Sequence, residues 1–164
     1  MDYRDAPGEY DHVVSMGMFE HVGPRNYRRY FEVADRLLED DGLFLLHTIG
    51  ARGSASAADS WVDKHIFRNG VLPSMPQIAQ AIEGLFVVED WHNFGADYDK
   101  TLMAWFENFD SNWERLRDIY DERFYRMWKF YLLASAGGFR SRTIQLWQIV
   151  LSKRGVPGGY TSVR

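Results

Sequence analysis

With 164 residues, 46% of them hydrophobic and 16% aromatic, the chain has enough apolar material for one packed core and reads as a single compact domain. A formal charge of −4 opposes any delocalised attraction to nucleic acid or anionic lipid, so nucleic acid is set aside as a partner and only local basic patches stay open. The absence of cysteine excludes disulfides, thiolate nucleophiles and cysteine-ligated zinc; with no signal-peptide layout and no membrane-length apolar run, the expectation is a soluble, intracellular domain.

Tyr10–Phe19 (YDHVVSMGMF) is a Val-rich apolar run that reads as a strand covered on both faces. Gly23 and Pro24 break the chain. From Asn26, the residues Tyr27, Tyr30, Phe31, Ala34, Leu37 and Leu38 recur at helical spacing with charged residues between them, predicting an amphipathic helix closed by Asp40, Asp41 and Gly42. Leu43–Gly50 (LFLLHTIG) is a second buried strand, and the order strand, helix, strand predicts a parallel crossover in an α/β sheet. Ala51–Ser60 is small and polar, a loop; the connection after it, WVDKHIFRNGVLPS, carries aromatic and apolar anchors, as insertions that cover a site do. Ser74 or the Met-Pro after it starts a helix running to about Ile82, and Leu85–Phe94 is a third strand. Apolar residues from Leu102 to Tyr131 keep a helical period through a helical pair beginning at Asp99. Thr143–Lys153 is the final strand, and residues 154–164 read as a frayed tail.

Polar residues fall where such a sheet binds ligands. Glu20, His47 and Asp97/Tyr98 lie at or just past the carboxyl ends of the strands, so they converge on one crevice. Taken singly, Glu20 also reads as a carboxylate at a helix start and His47 as a core imidazole bonded to backbone. A metal site built from Glu20, His21, His47 and His92 is the weaker reading, because neighbours on a strand face opposite ways and no HxxxH or HExxH pair exists.

The stretches VVSMGMFEHVGPRNYRRYF, GLFLLHTIG, NGVLPSMPQI, WHNFGADYDKTLMAWFE and FYLLASAGGFRSRTIQLWQIV resemble, in order from Asp2 to about Lys153, the C-terminal half of cyclopropane-fatty-acyl-phospholipid synthases and the similar mycolic acid cyclopropane synthases. The resemblance implies the C-terminal part of a Rossmann-like S-adenosylmethionine-dependent methyltransferase: an α/β, mostly parallel sheet with an antiparallel last strand and an inserted helical lid. It implies methylene addition across cis double bonds of phospholipid acyl chains, at the cytoplasmic, inner face of the membrane. It also implies a bicarbonate ion as base, its hydroxyl bound by Glu20 and its oxygens taking hydrogen bonds from His47, the Ile49 amide and the Tyr98 hydroxyl. Ser135 stands where relatives commonly carry cysteine. Asp2 and Tyr3 match the segment lining the adenine pocket, and Ser15, Met16 and Gly17 flank the sulfonium side. Aromatic rings could stabilise a developing cation, although most of them read as core.

One departure from the family pattern weighs most. The glycine-rich strand-turn-helix that holds the methionine part of the cofactor, and the acidic residue for its ribose, are not in this sequence; Gly137-Gly138 and Gly158-Gly159 lack the context to replace them. The chain therefore reads as a C-terminal piece, expected to bind S-adenosylmethionine weakly by itself and to pair with a missing N-terminal half or as a homodimer. A related C-methyltransferase giving a branched product, and a non-catalytic lipid-binding module, remain open beside the cyclopropane-forming enzyme. Arg25, Arg28, Arg29 and Arg36 on the first helix read either as a solvated face or as contacts to lipid headgroups.

Overall fold

The computed structural model describes residues 1–163. At its centre is a four-stranded sheet of β1 (Tyr10–Met16), β2 (Leu38–Ala51), β3 (Val87–Asn93) and β4 (Ile144–Ser152), in the spatial order β1-β2-β4-β3. β1 and β2 pair in parallel, with helix α1 (Tyr27–Leu37) as the crossover. β4 runs antiparallel to both its neighbours, so the other strands share one direction and the last strand opposes them. The expected crossover and antiparallel last strand are both present. Because β4 inserts between β2 and β3, the parallel character lies in strand direction more than in pairing.

Two boundaries differ from the sequence reading. Leu38, the last apolar position of the predicted helix, has φ −95° and ψ 137° and opens β2 opposite Tyr10. The register then slips between the Tyr10–Leu38 and His12–Leu43 pairs, and Glu39–Gly42 occupies the slack. At Gly42 a Cβ would lie 2.5 Å from the Asp11 carbonyl oxygen, which is why a residue read as a helix stop is a close approach of strands instead. The second correction concerns β1, which ends at Met16 and forms the sheet edge. Its Val13 packs on the core, but Val14 and Met16 are 61% and 70% exposed, so the strand is not covered on both faces. An apolar run signals a strand; what covers each face depends on elements outside the run.

Helices cover the two faces of β2 and β4. Phe44, Leu46, Trp147, Ile149 and Leu151 face α1 and α3 (Met75–Ile82), in a core with Phe19, Tyr27, Tyr30 and Phe31. Ile49 and Leu146, of opposite parity, face α4 (Gly95–Ser111) and α6 (Glu122–Arg140) with Leu102, Leu132 and Phe139. Ser74 caps α3 as foreseen, in a capping box with Gln77. The helical pair begins at Gly95, earlier than Asp99, because Asn93 Oδ1 accepts the Gly95 N–H at 3.3 Å. The insertion after β2 contains one short helix, α2 (Ser60–His65), and α5 (Trp113–Leu116) joins the long pair. After β4, Glu89 Oε1 accepts from Ser152 Oγ at 2.5 Å and from the Val156 N–H at 2.8 Å, fastening the start of the tail.

Candidate active site

Glu20 is delivered by a sharp turn. Gly17, at φ +64°, reverses the chain after β1 while its N–H donates to the His47 carbonyl at 3.1 Å. Phe19, fully buried and stacked on Tyr27 at 4.3 Å, anchors the 3₁₀ turn Phe19–His21. The next side chain, Glu20, is thereby held inside at 8% exposure. The insertion fastens the same turn from above, with the Val71 N–H donating to the Glu20 carbonyl at 2.8 Å and Phe67 5.8 Å from the His21 ring.

Within the site, Glu20 Oε1 accepts from the Ile49 N–H at 2.7 Å, while Oε2 is buried without a hydrogen-bond partner. A buried carboxylate oxygen with nothing to accept from is costly, and marks a place for a donor brought by a ligand. The Glu20 charge is felt at His47, Tyr98, Tyr27 and Tyr30, which places these groups in one neighbourhood. Burial pushes the His47 imidazole below its ordinary value, with Glu20 opposing. Burial raises the Tyr98 hydroxyl, with Glu20 adding to it, and the same causes push Tyr27 up to about 12. Both tyrosines are therefore neutral donors at ordinary pH. Tyr131 is raised by burial and then by Tyr98, while the Ser135 hydroxyl works the other way.

Among the expected residues the direct contact is between Glu20 and Ile49, and it differs from the expectation. The Ile49 amide, expected to donate to a bound anion, donates to Glu20 instead. On the cofactor side, Tyr3 is half-buried, 5.8 Å from Tyr30, and Ser15 Oγ is buried. Asp2 is exposed and held at about 2 by its hydrogen bonds from Arg4. A cavity of about 300 Å³ opens beside Tyr3, lined by Arg4, Met18, His21, Asn26 and Arg29. Tyr30, read from sequence only as a core position, has a buried hydroxyl whose neighbour is the buried Ser15 hydroxyl. Gln148 was also missed; its Nε2 lies 3.3 Å from His47 Nδ1.

Several of the arginines weighed for headgroups have structural work. Arg28 donates to the Ala81 and Glu83 carbonyls at the end of α3, Arg36 to the Ala6 and Arg4 carbonyls, and Arg29 pairs with Glu32. A row of rings runs from exposed Tyr120 through Phe124, Trp128, Tyr131 and Phe67 to His21, each 4.3–6.1 Å from the next. Among the described residues no helix is long and apolar enough to cross a membrane, and no cluster of His, Asp and Glu gathers that could hold a metal ion.

A parallel crossover, an antiparallel last strand and helices on both faces make this an α/β fold, and the solved structures it matches place it among the S-adenosylmethionine-dependent methyltransferases. The solved mycolic acid cyclopropane synthase CmaA1, complexed with SAH and CTAB, matches with a TM-score of 0.83 and 28% identity over 92% of this chain and 58% of its own. MmaA2 from Mycobacterium tuberculosis matches at 0.84 with 24% identity, a likeness of fold alone. The family model described as mycolic acid cyclopropane synthetase covers residues 1–149, and the chain belongs to that family. Cyclopropane-fatty-acyl-phospholipid synthase of Escherichia coli (strain K12) is 58% identical over 99% of this chain and 42% of its own length. Tuberculostearic acid methyltransferase UfaA1 of Mycobacterium tuberculosis is 36% identical over 95% of this chain and 38% of its own length. The chain therefore spans about two fifths of these relatives.

Proposed function

We propose that residues 1–153 are the C-terminal portion of a methyltransferase domain that forms cyclopropane fatty acids from cis-unsaturated phospholipid acyl chains. The observation that carries this reading is Glu20 Oε2, buried and unpartnered in the neighbourhood of His47 and Tyr98. An isolated alkene is a weak nucleophile, so methylation leaves positive charge on the acyl chain, and ring closure requires loss of a proton from the added methyl. S-adenosylmethionine, when bound, supplies that methyl from its sulfonium, and a bicarbonate ion supplies the proton acceptor. The residues here fit the ion: Glu20 Oε2 would accept from its hydroxyl, while His47 and Tyr98 would donate to its other oxygens. They fit the cofactor in part, through Tyr3, Ser15 and the turn at Gly17, and the chain alone is expected to bind it weakly. The protein is read as working peripherally at the inner face of the membrane, where its acyl substrate lies.

The 36% relative named as a methyltransferase supports a second reading, a branched methyl product from the same cation; the 58% relative favours the cyclopropane. The test is methyl transfer from labelled S-adenosylmethionine to cis-unsaturated phospholipid vesicles by a complete enzyme containing this segment. Glu20→Gln retains an oxygen for the Ile49 N–H but places an amide donor where the acceptor was. Turnover should fall by about 10²–10⁴-fold, the worth of a positioned base, and added bicarbonate should restore part of it. Near-normal turnover per folded molecule in bicarbonate-depleted buffer would remove Glu20 from the chemistry.

A further inference from the structure

The site asks His47 for one thing, an N–H aimed at an oxygen of a bound anion. A neutral imidazole has a single N–H, so the tautomer decides whether the ring presents a donor or a lone pair. Gln148 lies opposite His47 in the β2–β4 ladder, its Nε2 3.3 Å from Nδ1. An amide nitrogen has only hydrogens to offer, so with the amide in this orientation Nδ1 is the acceptor and the ring proton belongs on Nε2. Phe94 packs against the ring, 5.6 Å from His47 and 5.2 Å from His92, the residue across Gln148 on β3. With Nδ1 turned to β4, Nε2 occupies the ring's other edge, on the side of β2 where β1 ends and delivers Glu20.

We infer that Gln148 is a positioning residue for His47, holding the imidazole as the Nε2–H tautomer with that N–H directed away from β4 toward the Glu20 side. The inference deepens the proposed function and rests on its reading of His47 as an anion donor. A glutamine present only to fill space would leave the tautomer to solvent and local chance.

The test reads the tautomer directly. Long-range ¹H–¹⁵N correlation spectra of the labelled chain at about pH 8, where the imidazole is neutral, report which nitrogen of each ring carries the proton. His47→Gln assigns the His47 signals among those of the five histidines. In the wild-type chain Nδ1 of His47 should fall in the unprotonated range and Nε2 in the protonated range. Gln148→Glu, isosteric and able only to accept, should move the proton to Nδ1; Gln148→Met should give averaged signals. In the complete enzyme Gln148→Met should lower kcat about 10-fold, the lower end of what orienting partners of ligating histidines contribute, with KM for S-adenosylmethionine unchanged. A wild-type His47 protonated on Nδ1, or signals unmoved in Gln148→Met, would overturn the inference. The wild-type spectrum requires no variant to fold, and it stands apart from the Glu20→Gln assay: an active Glu20→Gln variant beside an Nε2–H His47 would refute the function and leave the positioning intact.

Discussion

Gly50 is the position at which a single methyl group should do most damage. A Cβ there would lie 2.0 Å from Cζ3 and 2.2 Å from Cη2 of Trp147, against the roughly 3.5–4.0 Å at which carbon atoms rest. The clash can be relieved only by moving the indole by about 1.5 Å or by bending β2. Neither is easy, since Trp147 is fully buried, its Nε1–H donates to Gln145 Oε1 at 3.0 Å, and its ring meets Trp91 edge-on at 5.2 Å. Overpacking costs about 1–3 kcal/mol in ordinary cores, and Gly50→Ala should fall at the upper end, about 3 kcal/mol. Urea unfolding followed by tryptophan fluorescence measures it, through a lowered midpoint at unchanged slope. Trp147→Phe removes most of the clashing atoms, so the double variant should recover more than half of the loss, a coupling that a double-mutant cycle isolates. A loss below about 0.5 kcal/mol, or costs that simply add, would refute the assignment of Gly50 to the indole contact.

Other consequences can be checked on the same chain. Arg28→Met removes donors from the Ala81 and Glu83 carbonyls, and should lower stability by about 1 kcal/mol in thermal or urea unfolding. Asp121→Ala deletes the cap that accepts the Phe124 N–H at 2.8 Å, costing α6 about 1 kcal/mol, seen as a lower midpoint by circular dichroism. His47 is held below its ordinary 6.5 by burial, so as pH falls the unfolded chain takes up that proton before the folded one does. Its contribution is complete above 6.5 and lost as pH falls through the lower folded value; this part of the stability–pH slope should vanish in His47→Gln.

The fold was legible where a pattern is local. The period of Tyr27, Tyr30, Phe31 and Ala34 gave α1, the Ser74–Gln77 pair gave the start of α3, and the apolar runs around Leu45 and Ile149 gave β2 and β4. It was misread where a residue answers to a distant neighbour. Leu38 continues the helical period, yet pairing with Tyr10 draws it into β2; Gly42 looks like a helix stop, yet the Asp11 carbonyl is what demands it. Val14 and Met16 are as apolar as core residues, and they are exposed because none of the described residues covers that face of β1, which no window on the sequence contains.

The site divides along the same line. Glu20, His47 and Tyr98 stand out in sequence because each interrupts or follows an apolar run; His47 lies within β2, at the level where β1 ends. Their partners carry no such mark. Gln148 sits in an ordinary polar position of β4, 101 residues from His47, and only the antiparallel register of that strand brings the two together. Tyr30 keeps perfect helical period and so reads as core; its hydroxyl becomes notable only when the fold buries it beside Ser15, within reach of the Glu20 charge. The Ile49 amide belongs to the backbone and is invisible to any reading of side chains, yet it is the group that locks Glu20 in place. Chemistry-bearing residues can thus be nominated from their local context, whereas the groups that aim them are chosen by topology. A variant series confined to Glu20, His47 and Tyr98 would therefore probe what the site does without touching how its geometry is held, and Gln148 is where the two questions separate.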